Sequence, residues 1–320
     1  MTAIIAEFCQ NHKGDRSILK EMIHAAAESG ATYAKIQSIW VKDLTKRDQF
    51  EEGATLSDGK VKVIKRPYQP EYERLRKLEL SLADHLFFIE ECVRVGLTPL
   101  TTIFAAGDTP HVARLPWPQS VVKVASYDCG SFPFLKKLAS HFDTLFVSTG
   151  ATHDHEIKKA VQLLDGKKIA LFHCVTSYPN TLDNCHLARL QYLRKFSPEV
   201  GWSDHTLVDR DGLKAAKVAL ALGADYVERH FTVLPASETK DGPVSMTLVM
   251  LRELVDFSKK SRQDQMEEVK RTIPELDLIL GQSKRDMTHV ELLNRDYYRG
   301  RFATHIGGNP VYNWEESDLI

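Results

Sequence analysis

Long hydrophobic runs are missing from this chain of 320 residues. No apolar stretch approaches the roughly 18 residues needed to cross a bilayer as a helix, so a membrane partner is not expected. The first residues, Met1-Thr2-Ala3-Ile4-Ile5-Ala6-Glu7, have no charged segment ahead of an apolar core. They read as the first strand of a mature cytoplasmic protein rather than a leader. Cysteine is scarce: Cys9, Cys92, Cys129, Cys174 and Cys185 are odd in number, scattered and never spaced C-x-x-C. That pattern fits reduced thiols and argues against a disulfide scaffold or a thiolate zinc site. An excess of one charge is missing too. Lys+Arg 42 against Asp+Glu 43 leave a net charge of -1 without any basic tract, which argues against nucleic acid or an anionic membrane as the main partner.

What remains is an ordinary globular composition, 43% hydrophobic, 27% charged and 9% aromatic. The length allows two domains of about 150 residues or one α/β barrel of roughly 250 with a remainder. Short β-branched runs alternate with amphipathic stretches along the chain. Strands are predicted at Thr2–Phe8, Tyr33–Ser38, Leu97–Thr102, Ser120–Ser126, Thr144–Ser148, Lys168–Val175, Val200–Ser203 and Asp225–Phe231. Helices are predicted at about 15–29, 81–95, 108–114, 131–141, 153–164, 183–196, 209–222 and 246–265. Gly30, Gly96 and Gly223 stand where helix C-caps belong. A sequence of βα units of this kind predicts a closed (β/α)8 TIM barrel. The turn after the first strand, Glu7 to Asp15, lacks the Gly-rich fingerprint of a doubly wound dinucleotide fold. The charged, Gly- and Pro-containing stretch 40–80 reads as a long loop after strand two.

Buried parallel strands should be almost wholly apolar, yet these carry polar groups near their C-terminal ends. They are Glu7; Lys35 and Gln37; Thr102; Lys123 and Ser126; Ser148 and Thr149; Thr176 and Tyr178; Ser203 and His205; Glu228 and His230. Residues i and i+2 of a strand share a face, so Lys35/Gln37, Ser203/His205 and Glu228/His230 are matched pairs aimed at the barrel mouth, the active-site end of this fold. A lone strand-end Ser or Thr is commonly a helix cap, and a lone Lys commonly snorkels to the surface. Two lysines on separate strands are different, because burying both is costly without an anion between them. Lys35 and Lys123, with Thr102, Ser126, Ser148 and Ser203, therefore read as a phosphate and carboxylate site. His205 and His230 end neighbouring strands and suit one divalent ion; structural roles are the alternative for each. His153-Asp154-His155 lies at a predicted helix start and reads as structural, while His12 and His173 stay open, with packing or hydrogen bonding favoured.

These motifs resemble the sialic acid synthase (NeuB) family. The resemblance is carried by Ile5-Ala6-Glu7, Asn11-His12-Lys13-Gly14-Asp15, Ala34-Lys35-Ile36-Gln37, Lys123-Val124-Ala125-Ser126, Ser148-Thr149-Gly150 and Ser177-Tyr178-Pro179. Gly201-Trp202-Ser203-Asp204-His205-Thr206 and Glu228-Arg229-His230-Phe231-Thr232 complete it. It implies condensation of phosphoenolpyruvate with the open-chain aldehyde of an N-acylated hexosamine, giving a 3-deoxy-2-ulosonic acid and phosphate. It also implies roles. Lys35, Thr102, Lys123, Ser126, Ser148 and Ser203 would bind phosphoenolpyruvate. His205 and His230 would hold one Mn²⁺ or Mg²⁺. Glu7 and Asp241 would be catalytic, and Gln37, Asp128, Thr176, Tyr178 and Glu228 would meet the sugar. Asp128 stands where the family often has Glu, and Thr176 where sialate synthases tend to have Asn.

The resemblance divides the chain into a barrel, 1–265, and a linker with a minimal C-terminal extension, 266–320, in place of the family's antifreeze-like cap. No Arg of the usual cap motif is found there, and a homodimer is a further expectation. Two other readings stay open. One is the same reaction on a sugar phosphate, as in octulosonate and heptulosonate synthases, with Lys60–Arg66 as the only sequence candidate for a second phosphate site. The other is a non-catalytic sugar-binding barrel.

Overall fold

Each of the eight β-branched runs forms a strand in the computed structural model, which describes residues 2–317. They are β1 (Ala3–Cys9), β2 (Tyr33–Ser38), β3 (Thr98–Ile103), β4 (Val121–Val124), β5 (Thr144–Ser148), β6 (Lys168–Cys174), β7 (Glu199–Asp204) and β8 (Tyr226–His230). All pair in parallel, and β1 closes the sheet by pairing with both β2 and β8. The fold is therefore the expected (β/α)8 barrel.

Alternation along each strand separates two kinds of packing. Outward residues such as Ile4, Ala6, Ile36, Val122, Leu171 and Val227 are buried against the surrounding helices. Inward residues at the N-terminal half, Ile5, Leu100, Val121, Phe146, Ala170 and Phe172, form a second apolar cluster that fills the barrel floor. Gly201 makes room there, since a Cβ at that position would come within 2.6 Å of the Phe172 ring. The helices end as the sequence suggests: Gly30, Gly96 and Gly223 have φ of 81°, 82° and 91°, the left-handed region in which glycine carries no Cβ penalty.

Four stretches differ from expectation, one being the predicted helix 209–222, which is two helices, Val208–Asp211 and Lys214–Ala221, parted at Gly212 with φ 56°. Residues 40–80 are not a plain loop: they hold a small antiparallel hairpin (Ala54–Thr55 with Val61–Val63) and a helix, Tyr68–Arg76. The predicted helix 183–196 contracts to Arg189–Leu193, behind a turn in which His186 has φ 47°. The predicted helix 246–265 is two helices, Leu248–Ser258 and Arg262–Thr272, the second started by the Ser261 hydroxyl accepting from the Asp264 N–H.

The C-terminal extension folds back over the mouth of the barrel. After helix His289–Tyr298 it forms the hairpin Ala303–Ile306/Asn309–Tyr312. Phe302 bridges to Leu44, and the Thr45 N–H donates to Arg301 O at 3.0 Å. Gly107 N–H donates to Thr304 Oγ1 at 2.8 Å, and Asn294 Nδ2 to Thr176 O at 2.8 Å. A small apolar core of Ile39, Leu44, Leu75, Phe104 and Phe302 sits beneath it.

Candidate active site

Strand register builds the site. Glu7 is paired with His230 on one side and Lys35 on the other, Thr102 with Gln37 and Lys123, and Ser203 with Glu228 and Cys174. The i, i+2 pairs Lys35/Gln37, Ser203/His205 and Glu228/His230 all face one cavity of about 190 Å³ at the C-terminal ends of the strands. Thr102, Lys123, Ser126, Ser148, Thr176, Tyr178, Glu7 and Asp241 line it too. Asp128, expected on the sugar side, does not. Its carboxyl is taken by Ser131 Oγ at 3.0 Å and Asn313 Nδ2 at 3.1 Å, behind the loop after β4.

At the base of the cavity lies a network of buried charge. Lys35 bonds Thr102 Oγ1 at 3.1 Å, pairs with Glu7 and lies 3.8 Å from Glu228. Lys123 donates to Glu228 Oε2 at 2.9 Å and rests 3.6 Å from the centre of the Phe172 ring. The Ser203 hydroxyl donates to the other Glu228 oxygen. Burial opposes charge on Lys35, but Glu228 and Glu7 outweigh it and hold this ammonium above the usual lysine range. Burial also works against the Glu228 carboxylate, yet Lys123, Lys35 and Ser203 keep it ionised far below the usual carboxylate range. Glu7 goes the other way: burial, reinforced by Glu228, outweighs Lys35 and raises its carboxyl. Two carboxyls of one cavity are thus driven apart, one held well below and one raised above the usual carboxylate range.

The histidines stand two residues nearer the mouth than Ser203 and Glu228, at the ends of β7 and β8. Ring centroids of His205 and His230 are 5.4 Å apart, and Tyr178 packs on His205 at 4.2 Å. Burial, with His230 nearby, pushes His205 well below the ordinary histidine range, so its ring is neutral. Nδ1 of each ring is buried without a hydrogen-bond partner. Two such imidazoles suit a borderline divalent cation. The flanking Asp204 points away; it caps the Thr206 N–H at 2.9 Å and pairs with Arg229 at 3.3 Å outside the barrel. His12, held neutral by burial with its pKa at about 4, accepts from the Gly14 N–H, and His173 bonds Cys185 O at 2.7 Å. His153 starts a helix, with its N–H on Glu156, and the adjacent Asp154 pairs with Arg189. All five cysteines are free.

Several lining residues escaped the sequence reading. Cys9 is one, although it stands two residues beyond Glu7 and the same-face rule applied to it. Arg74, Lys240, Tyr298 and Arg301 are others, and they line the outer part of the cavity. Arg301 is 8% exposed, pairs with Glu71 and lies over the Tyr298 and Phe302 rings. Arg74 binds the same Glu71 through two nitrogens at 2.9 Å. The extension therefore does bring an arginine to the site. Lys60 and Lys65 do not reach it; they pair with Asp58 and Glu52 on the exposed hairpin.

Comparison with known proteins agrees with this architecture. The chain is 27% identical to N,N'-diacetyllegionaminic acid synthase of Campylobacter jejuni, over 100% of this chain and 98% of that protein. It is 26% identical to pseudaminic acid synthase of the same species, over 94% and 81%. The crystal structure of the spore coat polysaccharide biosynthesis protein SpsE from Bacillus subtilis superposes with a TM-score of 0.70 at 25% identity, covering 92% of this chain and 77% of that one. The sequence model of the NeuB family matches residues 22–270, and the chain belongs to that family.

Proposed function

We propose that this chain condenses phosphoenolpyruvate with the open-chain aldehyde of an N-acylated hexosamine to give a sialic-acid-like 3-deoxy-2-ulosonic acid and inorganic phosphate. The observation that carries the proposal is the pair of buried ammoniums, Lys35 and Lys123, facing one cavity that two imidazoles, His205 and His230, also line. A phosphorylated carboxylate would add negative charge to ammoniums that share one firmly ionised partner, Glu228. Thr102, Ser126, Ser148 and Ser203 supply hydroxyls around the same end.

The reaction forms a bond between C3 of the enolpyruvyl group and the aldehyde carbon. Water adds at C2, and the bond from C2 to the phosphate oxygen breaks. Glu7, whose carboxyl is raised by burial, is placed to hold or release a proton at this end of the cavity. Glu228, held anionic, keeps Lys123 and Ser203 oriented. Gln37, Thr176, Tyr178 and Asp241 also line the cavity; the proposal assigns the first three to the acceptor sugar and Asp241 to the catalytic end. A divalent cation, Mn²⁺ or Mg²⁺ by resemblance, would be held by His205 and His230 and would polarise the aldehyde oxygen.

The test is phosphate release from phosphoenolpyruvate with a panel of N-acylated mannosamines, diacetylated hexosamines, sugar phosphates and unmodified sugars, with and without divalent ion. Release with an N-acylated hexosamine and ion supports the proposal. Release only with a sugar phosphate moves the acceptor to the alternative class. No release with any acceptor leaves a sugar-binding barrel.

A further inference from the structure

We propose that Cys9, His230 and Asp241 form a three-ligand centre for a divalent cation, with a thiolate in its donor set. One ligand atom from each of the three lies within 4.8 Å of the others, and Cys9 Sγ is 3.0 Å from Asp241 Oδ2. The donors come from three separate segments: the end of β1, the end of β8 and the loop that follows β8. Their convergence is held by hydrogen bonds behind them. Asn11, fully buried, donates through Nδ2 to Phe231 O and to Ser245 Oγ, both at 2.9 Å. The Ser245 hydroxyl in turn donates to the Asp241 carbonyl at 2.7 Å. One amide therefore ties the turn after Cys9 to the residue after His230 and, through Ser245, to Asp241. Outer hydrogen bonds of this kind are what orient metal ligands.

Cys9 itself adopts φ 47° at 5% exposure, a backbone region that few non-glycine residues occupy and that clusters at functional sites. Its N–H is held by Glu7 Oε1 at 2.9 Å. His230 is 7% exposed, and its Nδ1 has no hydrogen-bond partner. On binding, the thiol proton leaves to solvent and the thiolate bonds the ion; with the Asp241 carboxylate, two negative charges balance the dication. A thiolate–imidazole–carboxylate set favours Zn²⁺, Fe²⁺ or Co²⁺ over Mg²⁺. This set takes His230 and leaves His205 outside it, in place of the His205/His230 pair, so the ion preference implied by the two histidines alone is shifted and Asp241 acts on the acceptor through the ion.

The inference rests on the proposed condensation for the purpose of the ion but not for its ligands, and the experiment separates the two. The full chain, reduced and stripped of metal, is titrated with Co²⁺ alone. The expected result is a near-ultraviolet thiolate-to-cobalt charge-transfer band, absent in Cys9→Ser and retained in Cys174→Ser, which removes the other thiol facing the cavity. Cys9→Ser and Asp241→Asn should bind Co²⁺ at least about tenfold more weakly, with folding checked by circular dichroism. A wild-type chain that binds Co²⁺ without the band overturns the inference, and so does a folded Cys9→Ser that binds as tightly. If Cys9→Ser does not fold, the wild-type band and Asp241→Asn decide. Turnover without the band sinks this inference alone; the band without turnover on any acceptor sinks the condensation alone.

Discussion

Asn313 Nδ2 donates a 3.1 Å hydrogen bond to Asp128 Oδ1, joining the C-terminal hairpin to the loop after β4. Burial pushes the Asp128 carboxyl up to about 6 from 3.8, against the pull of Asn313 and Ser131. The folded chain therefore holds this proton to higher pH than the unfolded one. Its contribution to stability is fully present below pH 3.8 and is lost as pH rises to about 6. Urea unfolding of wild type and Asp128→Asn, compared across that window, should show a falling wild-type term that the variant lacks. Parallel curves would place the titration elsewhere.

Replacing Lys123 by Met removes an ammonium that is 2% exposed and hydrogen-bonded to Glu228. A charged hydrogen bond contributes roughly 1.5–3 kcal/mol, so KM for phosphoenolpyruvate should rise about 10- to 150-fold. The variant should also melt lower, because Glu228 loses a buried partner. Adding Glu228→Gln should recover much of the melting temperature without recovering KM. Recovery of both would make Lys123 a structural residue only.

Arg301 comes from the extension and reaches the outer cavity, whereas Lys35 and Lys123 lie at its base. Arg301→Lys keeps a charge near Glu71 but loses the planar fork. Initial rates with both substrates varied should show kcat/KM for the acceptor falling about tenfold or more, as for loss of one charged hydrogen bond. KM for phosphoenolpyruvate should stay constant. A matching loss of kcat/KM for phosphoenolpyruvate would mean that the extension only supports the fold.

Gly201→Ala places a methyl within 2.6 Å of the Phe172 ring. Overpacking of this kind costs about 1–3 kcal/mol. The expected outcome is a lower denaturation midpoint at unchanged m-value. Because Phe172 also lies under Lys123, weaker phosphoenolpyruvate binding should accompany it. A variant as stable as wild type would show that the ring has room to move.

The period-2 alternation carried most of this molecule. Tyr33–Ser38 and Thr144–Ser148 match their predicted bounds to the residue, and the strand-end pairs fall where the i, i+2 rule puts them. The same rule reached Cys9 from Glu7, but a lone cysteine in an apolar strand looks like packing. Asp128 failed because its fate depends on Asn313, a long-range partner that periodicity does not encode. Arg74 and Arg301 were hidden for a related reason: each stands where it does because the Leu44–Phe302 bridge docks the extension on the region 40–80. Helix boundaries broke where single residues intervene, His186 with its left-handed φ and Ser261 with its cap.

The apolar floor of the barrel has a kinetic side. Ile5, Leu100, Phe146 and Phe172 are each no more than 1% exposed, so the field of Lys35 and Lys123 has one exit, through the mouth. Two buried ammoniums stand there against Glu228, which is held ionised, while burial weakens the charge on Glu7. An anion drifting past meets a potential that deepens inward, focused by low-dielectric walls. Dissolved salt screens over about 8 Å at physiological strength, which acts on the approach and not on ammoniums already sealed from solvent. Added salt should therefore slow capture far more than it hastens escape, making ionic strength a control on the entry rate alone.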